Sequence, residues 1–125
     1  MMSAAHQDVI AIKAKLFRGL GDPSRLTILE SLKDGPLTVT EIVQRTGLSQ
    51  PNVSNHIACL KGCGLVTARR KGRFVEYSQN GLLISGILDL AGILLREVGE
   101  HVYACTRCPA VNGEDTKRAE EGVQL

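Results

Sequence analysis

Tryptophan is absent from this 125-residue chain, and phenylalanine and tyrosine occur only twice each. A surface that stacks unpaired bases on aromatic rings cannot be built from so few, so single-stranded nucleic acid is a poor partner and duplex DNA a better one. No apolar run reaches the roughly 18 to 20 residues that cross a bilayer, and the N-terminus lacks the tripartite pattern of a secretory signal. The expectation is a cytoplasmic protein with no membrane partner. Phosphate-binding glycine loops, metalloprotease motifs and serine-nucleophile elbows are missing too, which argues against an enzyme. In a reducing compartment four cysteines do not form a disulfide framework, so they are read as buried thiols, redox switches or metal ligands.

What is present is enough apolar character, 43%, for one compact core. The expected domain covers residues 1–108, followed by a charged, aperiodic and mobile tail over 109–125. Lys and Arg outnumber Asp and Glu by only 15 to 13. Yet Lys61, Arg69, Arg70, Lys71 and Arg73 fall in one stretch without an acid. A nearly neutral chain that concentrates positive charge this way is organised to meet a polyanion locally.

Periodicity and punctuation predict the order α-α-α-α-β-β-α, a mainly α fold with a small β-hairpin. A first helix over about 7–20 carries Val9, Ile10, Ile12, Leu16, Phe17 and Leu20 and stops at Gly21. Asp22-Pro23 opens a second with Leu26, Leu29 and Leu32 inward, and Gly35-Pro36 ends it. Thr38 and Glu41 form a capping box for a third helix that stops at Gly47. Ser49 caps a fourth, in which Val53, Ile57 and Leu60 recur at helical spacing. These last two helices make a helix-turn-helix. The segments 65–70 and 73–78, joined by Lys71-Gly72, read as a hairpin. From Leu82 to about Val102 the pattern is apolar around most of a helix, which demands burial on more than one side and hence a second copy of the chain.

On the fourth helix Gln50, Ser54, Asn55 and Ala58 point away from the core stripe. Short amides and hydroxyls near the start of such a helix suit a major groove, with Asn or Gln pairing twice with adenine. Ser49, Gln50, Asn52, Ser54, Asn55 and His56 are therefore the candidate DNA-reading set. Arg70, Lys71 and Arg73 on the hairpin would neutralise phosphates. His56 reads as a DNA contact or the neighbour of a cap, and His101 as an exposed residue.

Cys59 and Cys63 stand four residues apart, so their sulfurs share a helix face. Cys105 and Cys108 have the two-residue spacing of thiolate metal sites. Thiolates without a histidine-carboxylate set select soft ions such as Cd(II), Pb(II) or As(III).

The segments Asp22-Pro23-Ser24-Arg25-Leu26, Ser49 to Leu60, Gly64-Leu65-Val66 and Gly72-Arg73 leading to Tyr77 resemble the ArsR/SmtB family of metal-sensing repressors, over roughly residues 8–105. The resemblance implies a homodimeric winged helix-turn-helix, with the interface on the first and last helices, that binds operator DNA metal-free and releases it when loaded. Within the family, Thr38-Val39-Thr40 replaces the cysteines that arsenic and cadmium sensors often carry there. Asp89 could begin the zinc or nickel site of the last helix, but Ala91 and Val102 stand where imidazoles are usual. What is left looks like the CmtR-type cadmium and lead sensors, which implies Cys59 and Cys63 joined from the partner subunit by Cys105 or Cys108, the extra cysteine leaving three- and four-sulfur coordination open. Cd(II) or Pb(II) is then the expected effector, with As(III) and Zn(II) still open. Two rivals stand beside it: a thiol-redox-sensing DNA-binding regulator using Cys105 and Cys108, and a dimeric module whose basic hairpin meets RNA or an acidic protein.

Overall fold

The computed structural model describes residues 3–106. Its elements run α1 (Ala4–Leu20), α2 (Pro23–Ser31), α3 (Val39–Thr46), α4 (Gln50–Gly62), β1 (Val66–Lys71), β2 (Phe74–Gln79) and α5 (Leu82–Ala104). The expected order is the observed one. Two compact units divide the chain, the first ending at Asn80 and the second beginning at Gly81, which among the described residues is α5 and its end.

Local chemistry accounts for most helix starts. Ser3 caps α1 three residues earlier than periodicity suggests, its hydroxyl oxygen accepting from the His6 amide. Asp22 caps α2 through the Arg25 amide at 2.9 Å, with Pro23 in the first turn. At α3 both halves of the capping box form: Thr38 Oγ1 accepts from the Glu41 amide, and Glu41 Oε1 accepts from the Thr38 amide. Gly47 then closes α3 at φ 74, a left-handed conformation that glycine adopts without cost. Ser49 caps α4 by accepting from the Asn52 amide.

Two further boundaries differ from expectation. The second helix ends at Ser31 rather than at Gly35-Pro36, because Leu32, Lys33 and Gly35 each donate three residues back, which unwinds the last turn into tighter loops. The hairpin slips by one residue: Lys71 pairs with Phe74, so the two-residue loop is Gly72-Arg73 and not Lys71-Gly72. Only Gly72, at φ 62, has a positive φ in this loop, the pattern of a type II′ turn, which places glycine first.

The first unit's core forms where the helices meet. Ile28 and Leu29 of α2, Ile42 of α3, Val53, Ile57 and Leu60 of α4, and Val66 of β1 are buried, joined by Leu20, Leu32, Leu37, Leu48 and Leu65. Each fully buried aliphatic side chain stabilises the fold by about 1.5–3 kcal/mol. Expected inward residues Leu29 and Leu32 are buried, Leu26 is half-buried, and Ile28 joins them.

Long-range hydrogen bonds fasten the hairpin to this core. Leu37 and Tyr77 exchange backbone bonds of 3.0 and 2.8 Å, an isolated bridge beside β2. Gln79 Nε2 donates to the Leu29 carbonyl at 2.8 Å, and Asn80 Nδ2 to the Gly64 carbonyl at 2.7 Å. The wing is therefore held at its base and left projecting at its tip.

Candidate nucleic-acid interface and thiol pair

Burial sorts α4 into three stripes. Val53, Ile57 and Leu60 are buried against the core, whereas Ser54, Asn55 and Ala58 on the other side, and Gln50 at the helix start, are exposed. Among the described residues the Asn55 side chain makes no hydrogen bond, so both its donor and its acceptor are available for a base edge. Ser49 has committed its oxygen to the Asn52 amide, but its hydroxyl proton can still be donated to a phosphate.

The third stripe, Asn52, His56, Cys59 and Cys63, flanks the other two. Asn52 and His56 are half-buried; the two cysteines are exposed. His56 Nε2 lies 4.0 Å from Asp22 Oδ2, so the ring faces the cap of α2, the neighbour-of-a-cap alternative raised by the sequence. Cys63 is the C-cap of α4 and its amide donates to the Cys59 carbonyl at 3.0 Å, which keeps the pair one helical turn apart. Both are thiols.

Sequence reasoning missed one partner of this stripe. Arg25, from the first turn of α2, donates from Nη1 to Cys59 Sγ at 3.2 Å. Its Nε is buried and without an acceptor among the described residues. The one signal in the sequence is Arg25's place in the Asp22-Pro23-Ser24-Arg25 segment, three residues after the cap, which by itself names no partner for the guanidinium.

On the wing, Arg70, Lys71 and Arg73 are exposed at or beside the turn. Lys71 Nζ sits 3.9 Å from Glu76 Oε1, but a pair this exposed is worth little and yields readily to a phosphate. Arg69 stands opposite Glu76 in the ladder. The positive end of the hairpin is thus the tip, where a duplex backbone can reach it.

Cys105 belongs to the second unit, as the residue that ends α5, beside Glu100, His101, Ala104 and Thr106 around an open depression. Cys108 and the tail proposed for 109–125 lie outside the described residues. Among those described, no three His, Cys, Asp or Glu side chains come close enough to hold a metal ion. Cys59 and Cys63 therefore stand as a pair of donors within one chain. No helix among the described residues is long and apolar enough to cross a membrane.

Comparison with known proteins decides the family. Residues 22–68 match the model of the bacterial regulatory protein, arsR family. A protein of Streptomyces lividans named "Probable mercury resistance operon repressor" is 39% identical over 105 residues, covering 84% of this chain and 82% of its own. The chain belongs to the arsR family of bacterial regulatory proteins. The HTH-type transcriptional regulator CmtR of Mycobacterium bovis is 48% identical over 65 residues, 52% of this chain and 55% of its own, so the match spans about half of that relative. In structure, a homodimeric winged helix-turn-helix DNA-binding domain from Mycobacterium bovis superposes with a TM-score of 0.70 at 29% identity, covering 80% of this chain and 93% of the other. This arsR-family member is a winged helix-turn-helix transcriptional regulator and not an enzyme.

Proposed function

We propose that the chain is a metal-responsive repressor that works as a homodimer, holds operator DNA when metal-free and lets go when Cys59 and Cys63 bind a soft ion. Residues 1–108 act as one functional domain in this reading. The observation that carries it is the thiol pair itself: two exposed sulfurs one turn apart on the helix that also displays Gln50, Ser54 and Asn55.

The residues fit such an ion. Two thiols that no third His, Cys, Asp or Glu joins as a ligand cluster among the described residues suit soft cations over hard ones. A pair is also incomplete, which favours further sulfur from the C-terminal region of the partner subunit, from Cys105 or Cys108. Dimerisation is supported by the apolar side chains that a single chain leaves exposed: Val9, Ile12 and Phe17 on α1, and Leu90, Ile93 and Leu94 on α5.

Each part of the chain then has a task. The two copies of α4 enter successive major grooves and read bases through Asn55 and Gln50. Ser49 and Ser54 approach the backbone at the helix start, and Arg70, Lys71 and Arg73 grip phosphates on either side. When bound, the ion supplies a rigid link between α4 and the neighbouring subunit. DNA and ion favour different positions of α4, so each weakens the other's binding by the same factor, about 5- to 150-fold for a coupling of roughly 1–3 kcal/mol.

Cd(II) and Pb(II) lead because the retained cysteines are those of the CmtR-like arrangement, and that relative is 48% identical over the matched segment. Hg(II) is a second reading, favoured by the repressor named for mercury resistance that shares 39% identity over most of the chain. As(III) and Zn(II) complete the set to be tested.

The test is a titration of the metal-free protein with each ion, followed by ultraviolet thiolate-to-metal charge transfer and by operator binding. Cys59→Ser and Cys63→Ser should each lose metal-driven release while binding metal-free operator within about twofold of the parent. Release by either variant at the parent's metal concentration overturns the assignment.

A further inference from the structure

The contact between Arg25 and Cys59 sets a requirement for any ion at the thiol pair. Arg25 Nη1 donates to Cys59 Sγ at 3.2 Å, across 34 residues of sequence. Three residues earlier, Asp22 Oδ2 accepts from the Arg25 amide at 2.9 Å and lies 4.0 Å from His56 Nε2. The first turn of α2 thus meets α4 at two residues of one stripe, His56 and Cys59, and Arg25 is the member that touches a sulfur.

A guanidinium is permanently charged and only donates. It occupies a lone pair of the very sulfur that a metal would use, and a cation bound there would sit beside a fixed positive charge. The Arg25 head is also weakly held once that bond is lost: its Nε is buried with no acceptor among the described residues, and the Nη1 contact lies at the exposed surface, where water can replace Sγ. The guanidinium must then leave for water, undoing the α2–α4 contact at Cys59.

We propose that Arg25 is an internal competitor for the metal at Cys59, a positioning residue that clasps α4 to α2 in the metal-free protein and is expelled when Cys59 takes an ion. This rests on the thiol-pair reading above and deepens it. Because the bond exists only in the metal-free state, it lowers metal affinity. It also converts occupancy of one sulfur into a change in how the DNA-reading helix is seated. The exchange balances without any change of oxidation state: the Arg25–sulfur hydrogen bond breaks, the Cys59 thiol gives its proton to solvent, and one metal–sulfur bond forms.

The experiment uses the full-length chain and Cd(II) alone, with affinity read from the thiolate charge-transfer band against a competing chelator. Arg25→Met, which removes donor and charge, should bind Cd(II) about 3- to 10-fold tighter, the range for losing one competing hydrogen bond. Arg25→Lys, which keeps the charge on a single point, should fall between that variant and the parent. In the unaltered protein the Arg25 side-chain Nε–Hε resonance should shift in step with the band as Cd(II) is added, a readout that requires no variant to fold. A parent protein with no thiolate band overturns the metal reading and this inference with it. A normal band, with Arg25→Met no tighter than the parent or with an Arg25 resonance unmoved at saturation, overturns this inference alone.

Discussion

Truncating Asn55 to Ala separates reading of DNA from every other task of the chain. Asn55 is exposed on α4, opposite buried Ile57 and Leu60, and its side chain is bonded to nothing else among the described residues. Its removal leaves no cavity and no orphaned partner, and alanine is the better helix former, so stability should hold or rise by a few tenths of a kcal/mol. The cost falls on DNA alone. An amide that pairs twice with a base discriminates by about 1–3 kcal/mol, and a dimer presents two copies, so the operator complex should weaken by about 2–6 kcal/mol. With 1.4 kcal/mol per tenfold, that is a loss of roughly 30-fold at the least. The assay is fluorescence anisotropy at fixed salt, on a duplex selected from a random pool and on a scrambled one. The scrambled duplex should be bound as before, whereas Arg73→Ala should weaken both and reduce the salt slope by about 0.9 per lost phosphate contact. If Asn55→Ala weakens both duplexes equally, α4 does not read bases through this residue and the assignment of its exposed stripe fails.

Two further predictions concern the scaffold that presents this stripe. Leu29 is fully buried in α2, so Leu29→Ala should destabilise by about 2–5 kcal/mol and lower the thermal midpoint by roughly 10 °C or more, measured at fixed protein concentration. A shift under a few degrees would mean that the core does not centre there. Glu41 is held below the usual carboxylate range, chiefly by the Thr38 backbone amide, with further help from the Thr38 side chain and Arg45 and against some desolvation. A carboxylate lowered in the folded state contributes stability in full above its unfolded value, and loses it as the pH drops through the folded one. The stability gap between the parent and Glu41→Gln should therefore be open near neutrality and close in strong acid; a gap that does not change with pH would refute the capping-box charge.

Much of this molecule was legible residue by residue because the deciding interactions are short in sequence. A cap spans three residues, and so Asp22, Thr38 with Glu41, and Ser49 announce helix starts that the structure reproduces. Helical spacing likewise exposes the stripe of Val53, Ile57 and Leu60, and with it the other face that carries Ser54 and Asn55. The adjacent cysteines Cys59 and Cys63 follow from the same geometry. Even the one-residue slip of the hairpin has a local cause: the first position of its loop needs a positive φ, which Gly72 supplies and Lys71 would not.

Tertiary structure alone decided which distant groups meet. Nothing in the order of residues says that Gln79 would satisfy the carbonyl of Leu29, that Leu37 would bridge to Tyr77, or that Arg25 would reach Cys59. Each depends on how three helices pack, and packing is set by the summed burial of Ile28, Leu29, Ile42, Ile57 and Leu60 rather than by any one pair. The sequence by itself determined the elements and their faces, since those answer to steric and hydrogen-bonding rules within a few residues. The company kept by Cys59 was decided only when the core closed and brought the start of α2 against the side of α4.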